Sequence, residues 1–354
     1  MMETFPPLIA KASRVIRSKA NFYWKIVQVL FWLIGITMLL FMLFLPPIGV
    51  TLFWNMLIPV APALLVVGTG FWRNVCPLAT TALFPDRFGF SKKIKLTTHQ
   101  LNIFNLIAII ALFVIIPLRH VVFNTDGQAT AFLIIGVTTV AVASGFLFER
   151  KSGWCSGLCP VHPVEKLYGS GVAFTMPNLH CGSCVHCSRP CPDSTANITV
   201  KSTKSKASKI SKYLLVGAFP GYVWGWFQVP DFTGARAIEK ILLVYGSPML
   251  GGIATLISYL VLKRLLGKDR DSELISFFAA VTVSCYYWFR LPQLIGFSPR
   301  DTNGVFFDLS NQLPYWTPLV LNVLSSSFFL WWIVLRRKSP MSWSKRPSKA
   351  LMAN

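Results

Sequence analysis

Eight stretches of this 354-residue chain are long, apolar and free of Lys, Arg, Asp and Glu through their centres. They are Ile26–Leu45, Val50–Gly70, Leu101–Leu118, Ala129–Phe148, Tyr213–Val229, Ile241–Leu262, Glu273–Leu291 and Leu313–Leu335. Each comes close to the ~20 residues a helix needs to cross a bilayer core. Lipid offers no hydrogen bonds, so a crossing segment must satisfy its own backbone, and a helix does so. The chain is therefore expected to be an all-α integral membrane protein with about eight transmembrane helices. Composition agrees. Residues are 53% hydrophobic and only 13% charged, where a soluble domain carries about 25% charged. The fifth stretch is the weakest, being short and holding Pro220 and Gly221, so a re-entrant segment is its alternative. The first is too long for a signal peptide and no small-residue cleavage site follows it, which makes it a retained span.

The formal net charge is +21, and its distribution carries the meaning. With eight crossings, all but five of the 34 Lys and Arg fall on one face; the exceptions are Arg119, Arg236, Lys240, Arg290 and Arg300. This is the positive-inside pattern. It predicts an inner (cytoplasmic) membrane protein with both termini and every long basic loop in the cytoplasm. Dropping the fifth crossing would put the basic loop Lys263–Arg270 outside, so the asymmetry supports eight. The lipid bilayer, with help from anionic headgroups, is thus the expected partner, and nucleic acid is not.

The chain divides into three parts. Residues 1–148 form a four-helix half with one basic Cys-Pro loop. Residues 149–212 form a cytoplasmic insert holding most of the cysteines. Residues 213–354 form a second four-helix half with a basic tail. The run KSTKSKASKISK, Lys201–Lys212, reads as a solvated tether back to the membrane. A short internal repeat also appears. GFWRNVCPL (Gly70–Leu78) aligns with GWCSGLCPV (Gly153–Val161), each just past a span on the cytoplasmic side, with Trp72 standing where the second copy has Cys155.

Eight cysteines are present: Cys76, Cys155, Cys159, Cys181, Cys184, Cys187, Cys191 and Cys285. The first seven are expected on the reducing, cytoplasmic side, where metal binding is a better reading than disulfides. Cys181, Cys184, Cys187 and Cys191-Pro192 give C-x2-C-x2-C-x3-C-P, the ferredoxin pattern for a 4Fe-4S cluster. Three thiolates at two-residue gaps let one loop wrap three corners of a cube. Zinc prefers two cysteine pairs set a dozen or more residues apart, so four thiols in eleven residues suit it poorly. The fourth corner is open between Cys191, Cys76 and Cys159. One cluster is expected; a second would need a His ligand (His162 or His180) or an open iron site. Cys155 and Cys159-Pro160 can put two thiols one turn apart on a helix face. With Cys76 they form a candidate second redox element.

Other groups carry less. The five histidines, His99, His120, His162, His180 and His186, include no mid-membrane pair for a haem. His162, His180 and His186 adjoin cysteines and read as hydrogen-bonding neighbours. Cys285, in the seventh stretch, reads as a small buried apolar residue. No phosphate loop, hydrolase elbow or paired-carboxylate site is evident, and the acidic residues give a proton pump little support.

GWCSGLCP and CGSCVHCSRPCP together resemble the membrane polyferredoxin group, which includes NapH-, NosR-, CcoG- and MauN-type proteins. The resemblance covers about Val50–Asp193. It implies a ferredoxin-like insert between helices four and five, and electron transfer from quinol or a cytoplasmic donor to a respiratory or maturation partner. The group usually carries two ferredoxin runs and two complete C-x3-C-P elements, whereas this chain has one of each. The expected function is that of an electron carrier or redox subunit more than a stand-alone enzyme. A bound quinone and a redox partner protein come with that reading. Two alternatives are an assembly factor working through the C-x3-C-P thiols, and a transporter or scaffold with a structural or sensing cluster.

Overall fold

The structure is a computed structural model that describes residues 7–149, 151–169, 176–177, 205–232, 238–267, 269–297, 304–336 and 344–345. Its architecture is that of an all-α, multi-pass membrane protein. Among the described residues, seven helices are long and apolar enough to cross a membrane. They are α1 (Pro7–Phe44, apolar from Phe22), α2 (Pro46–Val67), α5 (Thr98–Phe123), α6 (Gly127–Leu147), α9 (Ile241–Leu266), α10 (Asp271–Leu294) and α11 (Thr317–Leu335). Among the shorter helices between them are α3 (Thr69–Val75), α4 (Pro77–Ala82) and α7 (Val161–Tyr168). Extended pairing among the described residues is limited to Met176–Pro177 beside Ser344–Lys345 and one isolated bridge from Ile94 to Phe148.

The eighth expected crossing differs in kind. Residues 206–226 form one continuous helix, α8, with a π-helical middle at Tyr213–Ala218. It lacks the apolarity of a lipid-facing span because protein surrounds it. From Leu215 to Trp226 every residue is buried except Trp224. A helix enclosed by other helices can carry Gly, Pro, Tyr and Trp where a lipid-facing one needs Leu and Ile. Its first turns also correct the tether reading. Lys206–Lys212 is helix continuous with the apolar segment, and Lys212 Nζ lies 2.5 Å from Asp271 at the start of α10.

Close approach of α8 to α9 depends on glycine at one crossing. A Cβ on Gly221 would collide with the Gly251 carbonyl oxygen, and one on Gly251 would collide with that of Gly221. Neither backbone can yield without parting the helices. Gly221→Val is therefore expected to destabilise the protein by about 3 kcal/mol. Gly136→Ala, where the new Cβ meets nothing within 4 Å, should change stability little. Thermal unfolding of both variants in detergent checks the contrast.

Aromatic groups complete the core by serving backbone atoms. Pro59 and Pro62 interrupt α2, and the Tyr287 hydroxyl bridges the gap. It receives the Ala63 N–H at 2.9 Å and donates to the Pro59 carbonyl at 2.6 Å. Trp332 Nε1 donates to the Val66 carbonyl at 3.1 Å. Tyr222 donates to the Phe113 carbonyl, and Trp226 Nε1 to that of Ile116 at 3.0 Å. Each bond holds a span and fills a backbone need that lipid could not.

Alternation of the spans leaves two functional ends. The loops after α2 and α6 meet at one end, with residues 92–94 bonded to the last turn of α6 through Lys92 N–Phe146 O (2.7 Å) and Ile94 N–Leu147 O (3.0 Å). About 30 Å away, one span length, the end of α5 meets those of α8 and α10.

Candidate functional site

The two copies of the internal repeat fold alike. Proline disfavours helical geometry at the residue before it, and here Cys76 takes φ −55°, ψ 116° and Cys159 takes φ −71°, ψ 116°. Proline then opens a helix in each case, α4 after Cys76 and α7 after Cys159. Each thiol folds back over the helix it precedes. Cys76 Sγ receives the Leu78 and Ala79 amides, and Cys159 Sγ receives those of Val161 and His162. The offsets, two and three residues on, are the same. Local Cys-Pro geometry accounts for each turn by itself. Tertiary packing then sets the two turns facing each other, close enough for Cys76 to perturb Cys159 electrostatically.

A buried ion pair ties the turns together. Arg73, three residues before Cys76, donates through Nε to Glu165 Oε1, six residues after Cys159. Both side chains are about 5% exposed. His162 Nδ1 lies 3.7 Å from the other Glu165 oxygen. Burial acts to raise the Glu165 carboxyl, but Arg73, aided by His162, outweighs it and holds the group below the usual carboxylate range. Burial pushes His162 down to about 4, so the imidazole is neutral near pH 7.

The thiols respond in the opposite sense. Burial pushes Cys159 up to about 12, Cys76 and Glu165 add to the rise, and the two helix-start amides only partly offset it. Cys76 is raised for the same first reason, with Lys151 a small opposing influence. Without a cation beside them both are protonated at neutral pH. A bound metal would supply that cation and ionise them.

Cys155 occupies a single π-helical turn, Trp154–Leu158, closed by Cys159 N to Trp154 O at 2.9 Å. Cys155 and Cys159 pack against the same patch, which contains Leu78, Ala82, Val137, Ala141 and Trp154. Cys159 lies past that turn in extended backbone, so the two thiols share a packing patch and not a helix face. Trp72, the counterpart of Cys155, instead joins the main apolar core. Cys285 does so as well, as expected of a small apolar group.

These residues fit partial ligation of an iron–sulfur group. Cys76 and Cys159 each offer a sulfur with two amide donors, the environment that stabilises a cluster thiolate. Among the described residues no three His, Cys, Asp or Glu gather into a metal cage. The ferredoxin run Cys181, Cys184, Cys187 and Cys191, with His180 and His186, lies outside the described residues, and so does any ferredoxin-like fold of the insert.

Sequence reasoning missed several polar groups. Arg73 and Glu165 were counted only as loop charges; their positions flanking the two Cys-Pro elements were the available signal. At the other end of the bundle, Arg119, His120, Asp231 and Arg290 line one cavity. Arg119 and Arg290 were legible as two of the few cations on the cation-poor face, at the ends of apolar spans. None of the family models, curated proteins or solved structures compared with the chain matches it.

Proposed function

We propose that the chain is a membrane-bound 4Fe-4S electron-transfer protein, passing single electrons between a cytoplasmic or quinol donor and a membrane redox partner. The observation that carries this is the C-x2-C-x2-C-x3-C-P run at Cys181–Pro192. Cys181, Cys184, Cys187 and Cys191 would hold the cluster, which supplies reversible one-electron chemistry when bound. The paired Cys-Pro turns support the reading. Cys76 and Cys159, with Cys155 on the same patch, form a second redox element or lend a ligand to the first. In this reading the cysteines face the cytoplasm, at the surface of the inner membrane, which the charge asymmetry supports.

The chain's own residues have definable tasks. Amides of Leu78, Ala79, Val161 and His162 stabilise negative sulfur. The Arg73–Glu165 pair fixes the spacing of the turns, and Trp154 with its apolar neighbours limits water. The alternative is an assembly factor working through the C-x3-C-P thiols; the upward push on Cys159 counts against it, since thiolate is the reactive form.

The test is iron and sulfide analysis with EPR on anaerobically purified protein, before and after dithionite. About four irons and four sulfides per chain, with a fast-relaxing signal on reduction that Cys184→Ser abolishes, is the expected result. Twice that content would make the Cys-Pro cysteines ligands of a second cluster. Zinc in place of iron, with no signal, would overturn the redox reading and leave a structural site in a membrane scaffold.

A further inference from the structure

The cavity at the end of the bundle away from the cysteines has a volume of about 310 Å³. Its walls are aromatic, with Trp54, Trp226, Trp288 and Phe289 among them, and two guanidinium groups enter it, from Arg119 and Arg290. Both arginines are more than nine-tenths buried, at 8% and 3% exposure. Among the described residues one carboxylate, Asp231, lines the same space. The formal charge of these lining residues is positive even with His120 neutral.

Existing bonds show which arginine is committed. Arg290 is engaged at both terminal nitrogens. Its Nη1 donates to Gln293 at 2.6 Å, and its Nη2 to the Trp54 carbonyl at 2.8 Å and to Asn55 Oδ1 at 2.7 Å. Those acceptors are neutral, so they satisfy its donors without cancelling its charge. Asp231 is engaged too. It bonds His120 Nδ1 at 2.6 Å and accepts from Asn124 Nδ2 at 2.8 Å, while His120 Nε2 meets the Trp226 carbonyl at 3.0 Å. Arg119 differs. Its guanidinium carbon lies over the Trp54 ring, 3.9 Å from the centroid, and over the Trp226 ring, 4.8 Å away. Nε donates to Asn124 Oδ1 at 3.0 Å, and the terminal nitrogens make no hydrogen bond within the described residues.

A cation held against two indoles, with its terminal donors unpaired among the described residues, is preorganised. The two rings and the Asn124 bond restrain the guanidinium, so little freedom is lost when an acceptor arrives. Burying a net positive charge without a counter-charge is expensive. An oxyanion removes both deficits at once, since a carboxylate or phosphate accepts two parallel N–H bonds from such a fork.

We propose that this cavity is a binding site for an oxyanion, a carboxylate or a phosphate, seated on Arg119 with any apolar body against Trp288 and Phe289. The site is independent of the iron–sulfur reading. Its two sources are a soluble anion entering from the cation-poor face and the headgroup of an anionic lipid. The volume, at the small end of ligand sites, suits a headgroup or a compact organic acid.

Intrinsic tryptophan fluorescence reads the site, because Trp54 and Trp226 flank Arg119. Delipidated protein in neutral detergent is titrated with benzoate, with inorganic phosphate and with short-chain phosphatidylglycerol, and benzamide serves as the neutral isostere of benzoate. Saturable binding of at least one anion, with benzamide at least ~10-fold weaker, is expected. Binding by phosphatidylglycerol alone identifies a lipid headgroup, and binding by benzoate or phosphate identifies a soluble source. Arg119→Gln should weaken the bound anion at least ~10-fold, and Arg119→Lys should recover part of the loss. Equal binding of benzamide and benzoate, or preference for a neutral short-chain quinone, would overturn the proposal. So would failure of all three anions to bind wild-type protein, a result that does not depend on how the variants fold.

Discussion

Glu165→Ala is expected to destabilise the protein by about 3–5 kcal/mol, the cost of removing one partner from a buried ion pair. Arg73 and Glu165 are each about 5% exposed, so the guanidinium stripped of its carboxylate cannot turn to water. Replacing both, as Arg73→Met with Glu165→Leu, should recover most of the loss, because apolar groups of similar size remove the charge as well as the pair. Chemical unfolding in detergent micelles measures both variants against the wild type. A single-variant cost below about 1 kcal/mol would place the pair with exposed bridges and would deny it the task of joining the Cys-Pro turns. The double variant separates two roles that Glu165 could play. If Glu165 matters only as a clamp, the double variant keeps the stability and the metal content together. If the carboxylate also supports His162, 3.7 Å away, stability returns while the environment of the thiols does not.

Most of the membrane framework was legible because a bilayer imposes one rule on every crossing segment. Seven expected spans coincide with observed helices to within a few residues at most ends. Where they differ, it is because helices do not stop at the lipid boundary. The first begins at Pro7, well before Ile26, and the third runs on to Phe123 through a π-helical turn. Apolarity reports contact with lipid, and α8 makes little. Its sequence therefore looked like the least secure crossing, although Tyr222 and Val216 are fully buried. Lys206–Lys212 looked like a tether because three lysines in seven residues suggest solvent. Spaced at 206, 209 and 212 they share one helix face instead, and Asp271 accepts the last of them. At the candidate site, Cys76, Cys155 and Cys159 could be nominated from local motifs. Arg73, Glu165 and the Arg119 cavity could not be assembled that way, because their meaning rests on distant partners, 92 residues apart for Arg73 and Glu165 and 236 for Trp54 and Arg290. Such pairings are set by packing, which periodicity does not encode.

Cys76→Ser and Cys159→Ser are expected to impair iron binding to the same degree, each by about 10–100-fold or more in affinity. The sequence alone ranks them differently. Cys159 belongs to a complete C-x3-C-P element, whereas Cys76 belongs to a copy whose other cysteine is Trp72. The geometry removes that ranking. Both residues share a ψ of 116°, both precede a proline that opens a helix, and both receive amides from the second and third residues on. A ligand position is defined by such a cradle, and Cys155, on its π-helical turn, does not share it. Cys155→Ser should therefore cost less than either, and Cys285→Ser should leave iron unchanged, since Cys285 packs in the core of the spans. Iron retention against a graded chelator, with the EPR signal followed in parallel, orders the four variants. If Cys159→Ser loses iron while Cys76→Ser does not, the repeat is a matter of backbone alone and the first copy is a structural relic. Parallel loss would mean that both halves of the duplication still serve the metal. The buried Arg73–Glu165 pair would then be the part that keeps two separately encoded turns at one working distance.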